Sequence, residues 1–221
     1  MPHRPNTPLQ TLRIAAGLTK IIADYGPEMV PQTIHRYATE AAACGFDLER
    51  FMTNLGILTS PLEIEALSES PSAPYEVGSF IGSIAQAVAN RHARPDELQI
   101  STETALVNAP PSVLNKIITE LADNAFRYSP KGTTVRIVGQ STPSAYKIKI
   151  EDSGVGIDQA VITSLQEEFP SWEVQPVRPL GIGLKVAHSL VARLESQLTL
   201  TSLSPDGTCA EFEFASDLGR A

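Results

Sequence analysis

The chain has 221 residues, with 17 Lys and Arg against 25 Asp and Glu, a formal net charge of −8 and 42% hydrophobic residues. This acidic balance argues against a nucleic-acid surface, and the short basic cluster Arg91, His92, Arg94 reads as solvated. Cys44 and Cys209 lie far apart, which argues for reduced thiols in a cytoplasmic protein rather than a disulfide scaffold; no apolar run reaches the ~20 residues that span a bilayer.

In chain order, Leu9 to Tyr25 carries Leu12, Ile14, Leu18, Ile21 and Ile22 without a proline, until Gly26-Pro27 ends the pattern. Ile34, Tyr37, Ala41, Cys44, Leu48, Phe51, Leu55 and Leu58 then recur at spacings of three and four, a heptad seam about 38 Å long at 1.5 Å per residue. Residues 1–60 are therefore expected to form a helical hairpin. Two helices bury too little to stand alone, so the economical solution is a four-helix bundle made by a homodimer; the alternative is packing on the rest of the same chain. Residues 61–74 contain SESPSAP and read as a linker and possible hinge between this hairpin and a second domain over 75–216, with 217–221 as a tail.

The second domain opens with a helix over Val77 to Ala89 and a strand over Leu98 to Thr102. An amphipathic helix follows, with Ser112 expected as its N-cap, apolar positions Val113, Leu114, Ile117, Ile118, Leu121 and Ala125, and an extent to about Thr133. Glu120, Asn124 and Arg127 form one polar stripe on it, beside the apolar one. An acid, an amide and a base beside a core suit a polar ligand: Mg²⁺ for the oxygens, a phosphate for the arginine. The alternative is a half-exposed helix with a surface ion pair.

Strands are expected at Thr134–Val138 and Tyr146–Glu151, where Tyr146, Ile148 and Ile150 alternate with Lys147, Lys149 and Glu151. Asp152 keeps the parity of the buried face, a costly place for a carboxylate unless donors meet it. Gly154 and Gly156 then permit close approach of backbone or ligand. Leu180-Gly181-Ile182-Gly183-Leu184 opens another helix, whose glycine-flanked N-terminus offers N–H groups to phosphate oxygens. A strand over Leu198–Ser202, the tight turn Asp206-Gly207-Thr208 and an alternating strand over Cys209–Phe214 complete the pattern. About five strands under three longer helices give an α+β chain whose second domain is an α/β sandwich with a mixed sheet. His35, His92 and His188 lack metal-ligand spacing and read as structural or surface residues.

ELADNAFRYS, DSGVGI, LGIGL and DGT, in that order, resemble the N box, two glycine boxes and final glycine-threonine motif of the ATP-binding domain shared by sensor histidine kinases, DNA gyrase, Hsp90-type chaperones and MutL, the GHKL superfamily. The resemblance covers about Tyr75 to Ala215, and the tail of the N box is most similar to histidine kinases. It implies that Asn124 ligates Mg²⁺, with Glu120 as a possible second ligand or a catalytic acid. It further implies that Arg127 contacts phosphate, Tyr128 lines the nucleotide pocket and Asp152 binds the adenine amine. Gly154, Gly156, Gly181, Gly183 and Leu184 shape the pocket and its lid, and Thr208 closes the ATP-binding set. Gln166 to Arg178 corresponds to the lid, in which Trp172 is expected to anchor the loop. Near the N-terminus, His3, Thr7, Pro8 and Leu9 resemble the histidine-kinase H box, which implies His3 as phosphoacceptor and Thr7 as the residue that positions water for phosphatase activity. Arg4 stands where the family usually carries an acid.

The implied activity is ATP-dependent autophosphorylation on His followed by transfer to an Asp of a response-regulator receiver domain, in a cytoplasmic homodimer with no membrane segment in this chain. The start two residues before the H-box-like motif is read as the beginning of a piece of a longer sensor. Two alternatives stay open: an ATP hydrolase using Glu120, which stands where the gyrase-type relatives carry their catalytic acid, and a dimeric ATP-binding adaptor without catalysis.

Overall fold

Alternation of apolar residues sets the sheet, and the computed structural model shows where each alternating run pairs; it describes residues 45, 49–68, 73–166, 182–203 and 206–216. The chain divides into two compact units, Met1–Gly56 and Ile57–Ala221. Of the expected hairpin, Gly45 and residues 49–60 are described, and Gly45 and residues 49–59 are helical. The remainder of the hairpin, with the seam positions Ile34, Tyr37, Ala41, Cys44 and Leu48, lies outside the described residues.

In the second unit, α1 (Pro61–Leu67) precedes β1 (Tyr75–Glu76), α2 (Val77–Arg91), a 3₁₀ turn (Pro95–Glu97), β2 (Leu98–Thr102), β3 (Leu106–Val107) and α3 (Pro111–Tyr128). Then come β4 (Val135–Ser141), β5 (Ala145–Asp152), α4 (Gln159–Gln166), α5 (Ile182–Arg193), β6 (Thr199–Ser202) and β7 (Thr208–Ala215). Five strands make one sheet in the order β2-β4-β5-β7-β6, while β1 and β3 form a separate antiparallel pair. β2 runs parallel to β4 and the other neighbours are antiparallel, so the sheet is mixed as expected. Tyr146, Ile148 and Ile150 of β5 are buried together with Ile137 of β4 and Phe212 and Phe214 of β7, and the same core takes in α2, α3 and α5. This is the α+β architecture that the periodicities required.

Four local features differ from the sequence reading. Part of the expected linker is helical: α1 begins with proline in its first turn, where no intrahelical donor is needed, and its Ile64 and Leu67 pack on the core beside Ile57 and Leu58. α3 is capped at Pro110 rather than Ser112, with Pro111 in the first turn, and it stops at Tyr128 because Pro130 follows the C-cap Ser129. α4 and the β1–β3 pair are additional elements, too short to give a readable period. The cluster at the end of α2 is only partly solvated: Arg91 is exposed, but Arg94 is only 4% exposed.

That last difference has a local cause. α2 ends in a Schellman turn, with the Ala93 N–H on the Asn90 carbonyl, the Arg94 N–H on the Ala89 carbonyl and Ala93 at φ +54°. The turn directs His92 and Arg94 at α3. Arg94 donates to the carbonyls of Phe126, Ser129, Pro130 and Thr133, its Nε–H meets Glu97, and its guanidinium lies 5.2 Å from the Phe126 ring centroid. A buried cation thus satisfies carbonyls that the end of α3 leaves without intrahelical donors.

Candidate nucleotide-binding site

Where α3 passes over β5 and β7, the sheet and helices enclose a cavity of about 620 Å³. Six residues singled out in sequence border it: Asn124 and Tyr128 from α3, Asp152 from the end of β5, Gly156 from the loop beyond, Leu184 from α5 and Thr208 from β7. They span 85 positions of sequence (124 to 208) and are brought to one place by register, since Asp152 pairs with Thr208 across β5 and β7, and Thr208 pairs with Ser202 across β7 and β6. Ile150, Leu121, Ala125 and Ala210 supply the apolar part of the wall, with Val161 of α4 opposite. The result suits a flat, largely apolar ligand that carries a polar edge.

Asp152 provides the polar anchor. Burial pushes its carboxyl above the ordinary carboxylate value, opposed by hydrogen bonds from the backbone N–H groups of Gly154 and Thr208 and from the Thr208 hydroxyl. The Gly154 N–H reaches Oδ1 at 2.7 Å. Glycine is required there: a Cβ on Gly154 would stand 2.6 Å from the Tyr128 carbonyl oxygen and 2.7 Å from Asp152 Oδ1. Gly156 has φ +75°, and the Oγ of Ser202 braces the next residue, donating to the Ile157 carbonyl at 2.9 Å and accepting its N–H at 3.0 Å. Gly207 has φ +129°, and a Cβ there would meet the Asp152 carbonyl oxygen at 2.2 Å. The glycine boxes are therefore packing requirements around one carboxylate as well as turns.

The stripe on α3 divides. Asn124 faces the cavity and Tyr128, 54% exposed, forms its rim. Glu120 is fully buried, with the Lys116 Nζ 2.8 Å from its Oε1, and it does not border the cavity. Arg127 lies one residue from Tyr128, with a guanidinium nitrogen 3.3 Å from Asp123 Oδ2, and it too stands outside the lining. Gly154 backs the cavity without bordering it, and Gly183 is buried in the first turn of α5. His3, Thr7, Gly181 and the expected lid residues 167–178 lie outside the described residues.

Sequence reasoning missed Asp158, Ser202 and the trio His92, Asp123, Arg94. Asp158 borders the cavity and takes the Ala160 N–H at the start of α4, a capping signal that its Asp-x-x-Val setting could have given. Asp123 lies one position from Asn124, on the buried side of α3, where only a partner on another element could have announced it.

An α/β sandwich with a buried carboxylate at the end of a central strand, glycine turns around it and a helix-borne amide opposite defines a nucleotide-binding domain. Comparison with known proteins gives the same class. Residues 110–218 match the family described as "Histidine kinase-, DNA gyrase B-, and HSP90-like ATPase". "Sensor protein TorS" of Escherichia coli is 25% identical over 95% of this chain and 22% of its own length. "Probable sensor histidine kinase TcrY" of Mycobacterium tuberculosis is 24% identical over 90% of this chain and 41% of its own length. Among solved structures, "Acinetobacter baumannii histidine kinase AdeS" superposes with a TM-score of 0.65 at 16% identity, covering 95% of this chain and 96% of that one. Residues 110–218 thus belong to this GHKL-type ATPase family, and the chain as a whole is similar to sensor histidine kinases. It spans less than half the length of these two curated relatives. No helix among the described residues is long and apolar enough to cross a membrane.

Proposed function

We propose that the chain is the kinase portion of a two-component sensor, which binds Mg²⁺·ATP in the α3–β5–β7 cavity, phosphorylates His3 and passes the phosphoryl group to an Asp of a response-regulator receiver domain. The convergence of Asn124, Asp152, Leu184 and Thr208 on one cavity carries this reading, because these residues come from four separate motifs. The name of one relative, "Probable sensor histidine kinase TcrY", supports the reaction type. Asp152 would accept from an adenine amine, its carboxylate standing beside the apolar wall of Ile150 and Ala210. Asn124 would offer a hard oxygen to Mg²⁺, which prefers a few protein oxygens together with phosphate and water. The ion would neutralise charge on the transferring phosphoryl group. Arg127, at the same end of α3, would bond a phosphate oxygen. Catalysis of this kind consists mainly of positioning, so the domain holds the nucleotide while His3 is delivered to it. Thr7 would position water for hydrolysis of the regulator's aspartyl phosphate to inorganic phosphate. A homodimer built through the N-terminal hairpin and a cytoplasmic location belong to the same proposal.

Incubation with Mg²⁺ and γ-labelled ATP, beside His3→Gln, tests it. Acid-labile, base-stable label that disappears in the variant is expected. Tight ATP binding without label would discard the kinase and leave a hydrolase or an adaptor. The hydrolase reading assigns Glu120 as general base, but its burial and its Lys116 partner favour support of the helix instead. Glu120→Gln is accordingly expected to retain phosphoryl transfer; loss of both transfer and hydrolysis would favour the base.

A further inference from the structure

We infer that Asp123 and His92 are positioning residues for Arg127, so that the affinity of the site for phosphate is set from the far end of α2. The inference rests on the reading of the cavity as an ATP site with Arg127 at its phosphate end. Asp123 is almost wholly buried, its side chain 4% exposed, and a carboxylate there requires partners on both oxygens. Oδ2 faces Arg127 at 3.3 Å and Oδ1 faces the His92 Nε2 at 2.9 Å. A carboxylate can only accept when ionised, so Nε2 carries the proton and donates. The imidazole is itself held against the Phe126 ring, with centroids 5.6 Å apart and planes inclined by 20°. Phe126 is fixed in turn by burial and by Arg94 above its face.

The order of support therefore runs from the Phe126 ring to His92, then to the Asp123 carboxylate and the Arg127 guanidinium. His92 sets the plane of the carboxylate, and the carboxylate sets where the guanidinium sits on the helix that carries Asn124 and Tyr128. A guanidinium has five donors, enough to hold Asp123 and a phosphate oxygen together, and its planar fork profits from being aligned beforehand. A lone Arg on the last turn of a helix would sample many rotamers, and ordering it on binding would cost affinity. None of this touches the base or sugar, so the effect falls on phosphate alone.

Equilibrium titration of the full chain with Mg²⁺·ATP and, separately, with adenosine provides the test. Arg127→Gln should weaken ATP about tenfold, the scale of a charge-assisted bond, with adenosine unchanged. His92→Leu, which removes the donor, should weaken ATP about three- to tenfold with adenosine unchanged, while His92→Gln, which keeps one, should lie within about twofold of the parent. In the Arg127→Gln background His92→Leu should add almost nothing, because its effect acts through that arginine. Asp123→Asn should resemble His92→Leu where it folds, and the two His92 variants decide the matter where it does not. Equal weakening of ATP and adenosine, an inert His92→Leu, or full additivity with Arg127→Gln would each overturn the inference. A parent chain that binds neither ligand would overturn the ATP reading itself; a parent that binds ATP with an inert His92→Leu overturns the positioning alone.

Discussion

Replacing Arg94 with Met removes a buried cation while keeping most of its volume, and the structure fixes what is left behind. The carbonyls of Phe126 and Ser129 are fully buried partners, whereas those of Pro130 and Thr133 are partly accessible and can be rehydrated. Two orphaned buried acceptors cost about 1–3 kcal/mol each, so Arg94→Met should destabilise the domain by about 4 kcal/mol. At roughly 2–4 °C per kcal/mol for a chain of this size, Tm should fall by about 8–16 °C. Lys is a poor substitute, because one ammonium cannot reach carbonyls spread over eight residues, and Arg94→Lys should recover less than half of the loss. Thermal unfolding of the three proteins followed by circular dichroism measures this directly. A fall of less than about 3 °C in Arg94→Met would mean that water satisfies the end of α3 as well as the guanidinium does, and the reasoning about the latch would be wrong.

Two further outcomes follow from the carboxylate at the centre of the site. Burial raises the Asp152 pKa, while an amine donor favours the anion, so at pH values below the raised pKa nucleotide binding should expel a proton. ATP affinity should then be full above the raised pKa and decline as the pH falls through it; a flat profile from about pH 4 to 7 by calorimetric titration would contradict that. Gly207→Ala places a Cβ 2.2 Å from the Asp152 carbonyl oxygen at a φ of +129°, and should cost about 2–5 kcal/mol from strain and backbone displacement, read as the shift in a urea unfolding midpoint. A cost below ~1 kcal/mol would show that the turn rearranges freely.

The fold was legible wherever one face of an element is buried and the other wet. Tyr146, Ile148 and Ile150 alternate with lysines and a glutamate, and β5 runs only one residue further at each end than its expected bounds. The cavity was legible for the complementary reason, since Asp152 keeps the buried parity while being charged, and Asn124 interrupts an apolar helix. What escaped is what depends on contacts between distant elements. The basic run at the end of α2 has the composition of a solvated turn, and only the Schellman geometry at Ala93 turns Arg94 into the core. α1 escaped because Ser and Pro nearby suggested a linker, although its Ile64 and Leu67 find the core. Glu120 was read as a site residue from its place on the stripe and from the resemblance, and neither could announce the Lys116 ammonium 2.8 Å from its Oε1.

Charge compensation explains why the site sits at this end of α3. A helix whose last turn carries Asn124, Arg127 and Tyr128 must present them with its carbonyls exposed nearby, and those carbonyls repel the phosphates that the side chains would attract. Arg94 removes the conflict by covering the carbonyls of Phe126, Ser129 and Pro130 with a guanidinium that is itself out of reach of the cavity. Pairing of Asp123 with His92 and Arg127 does the same for the one buried carboxylate on that turn. Both devices come from the residues just after α2, so a single corner of the chain neutralises the negative end of the helix and leaves its polar side chains to face an anionic ligand.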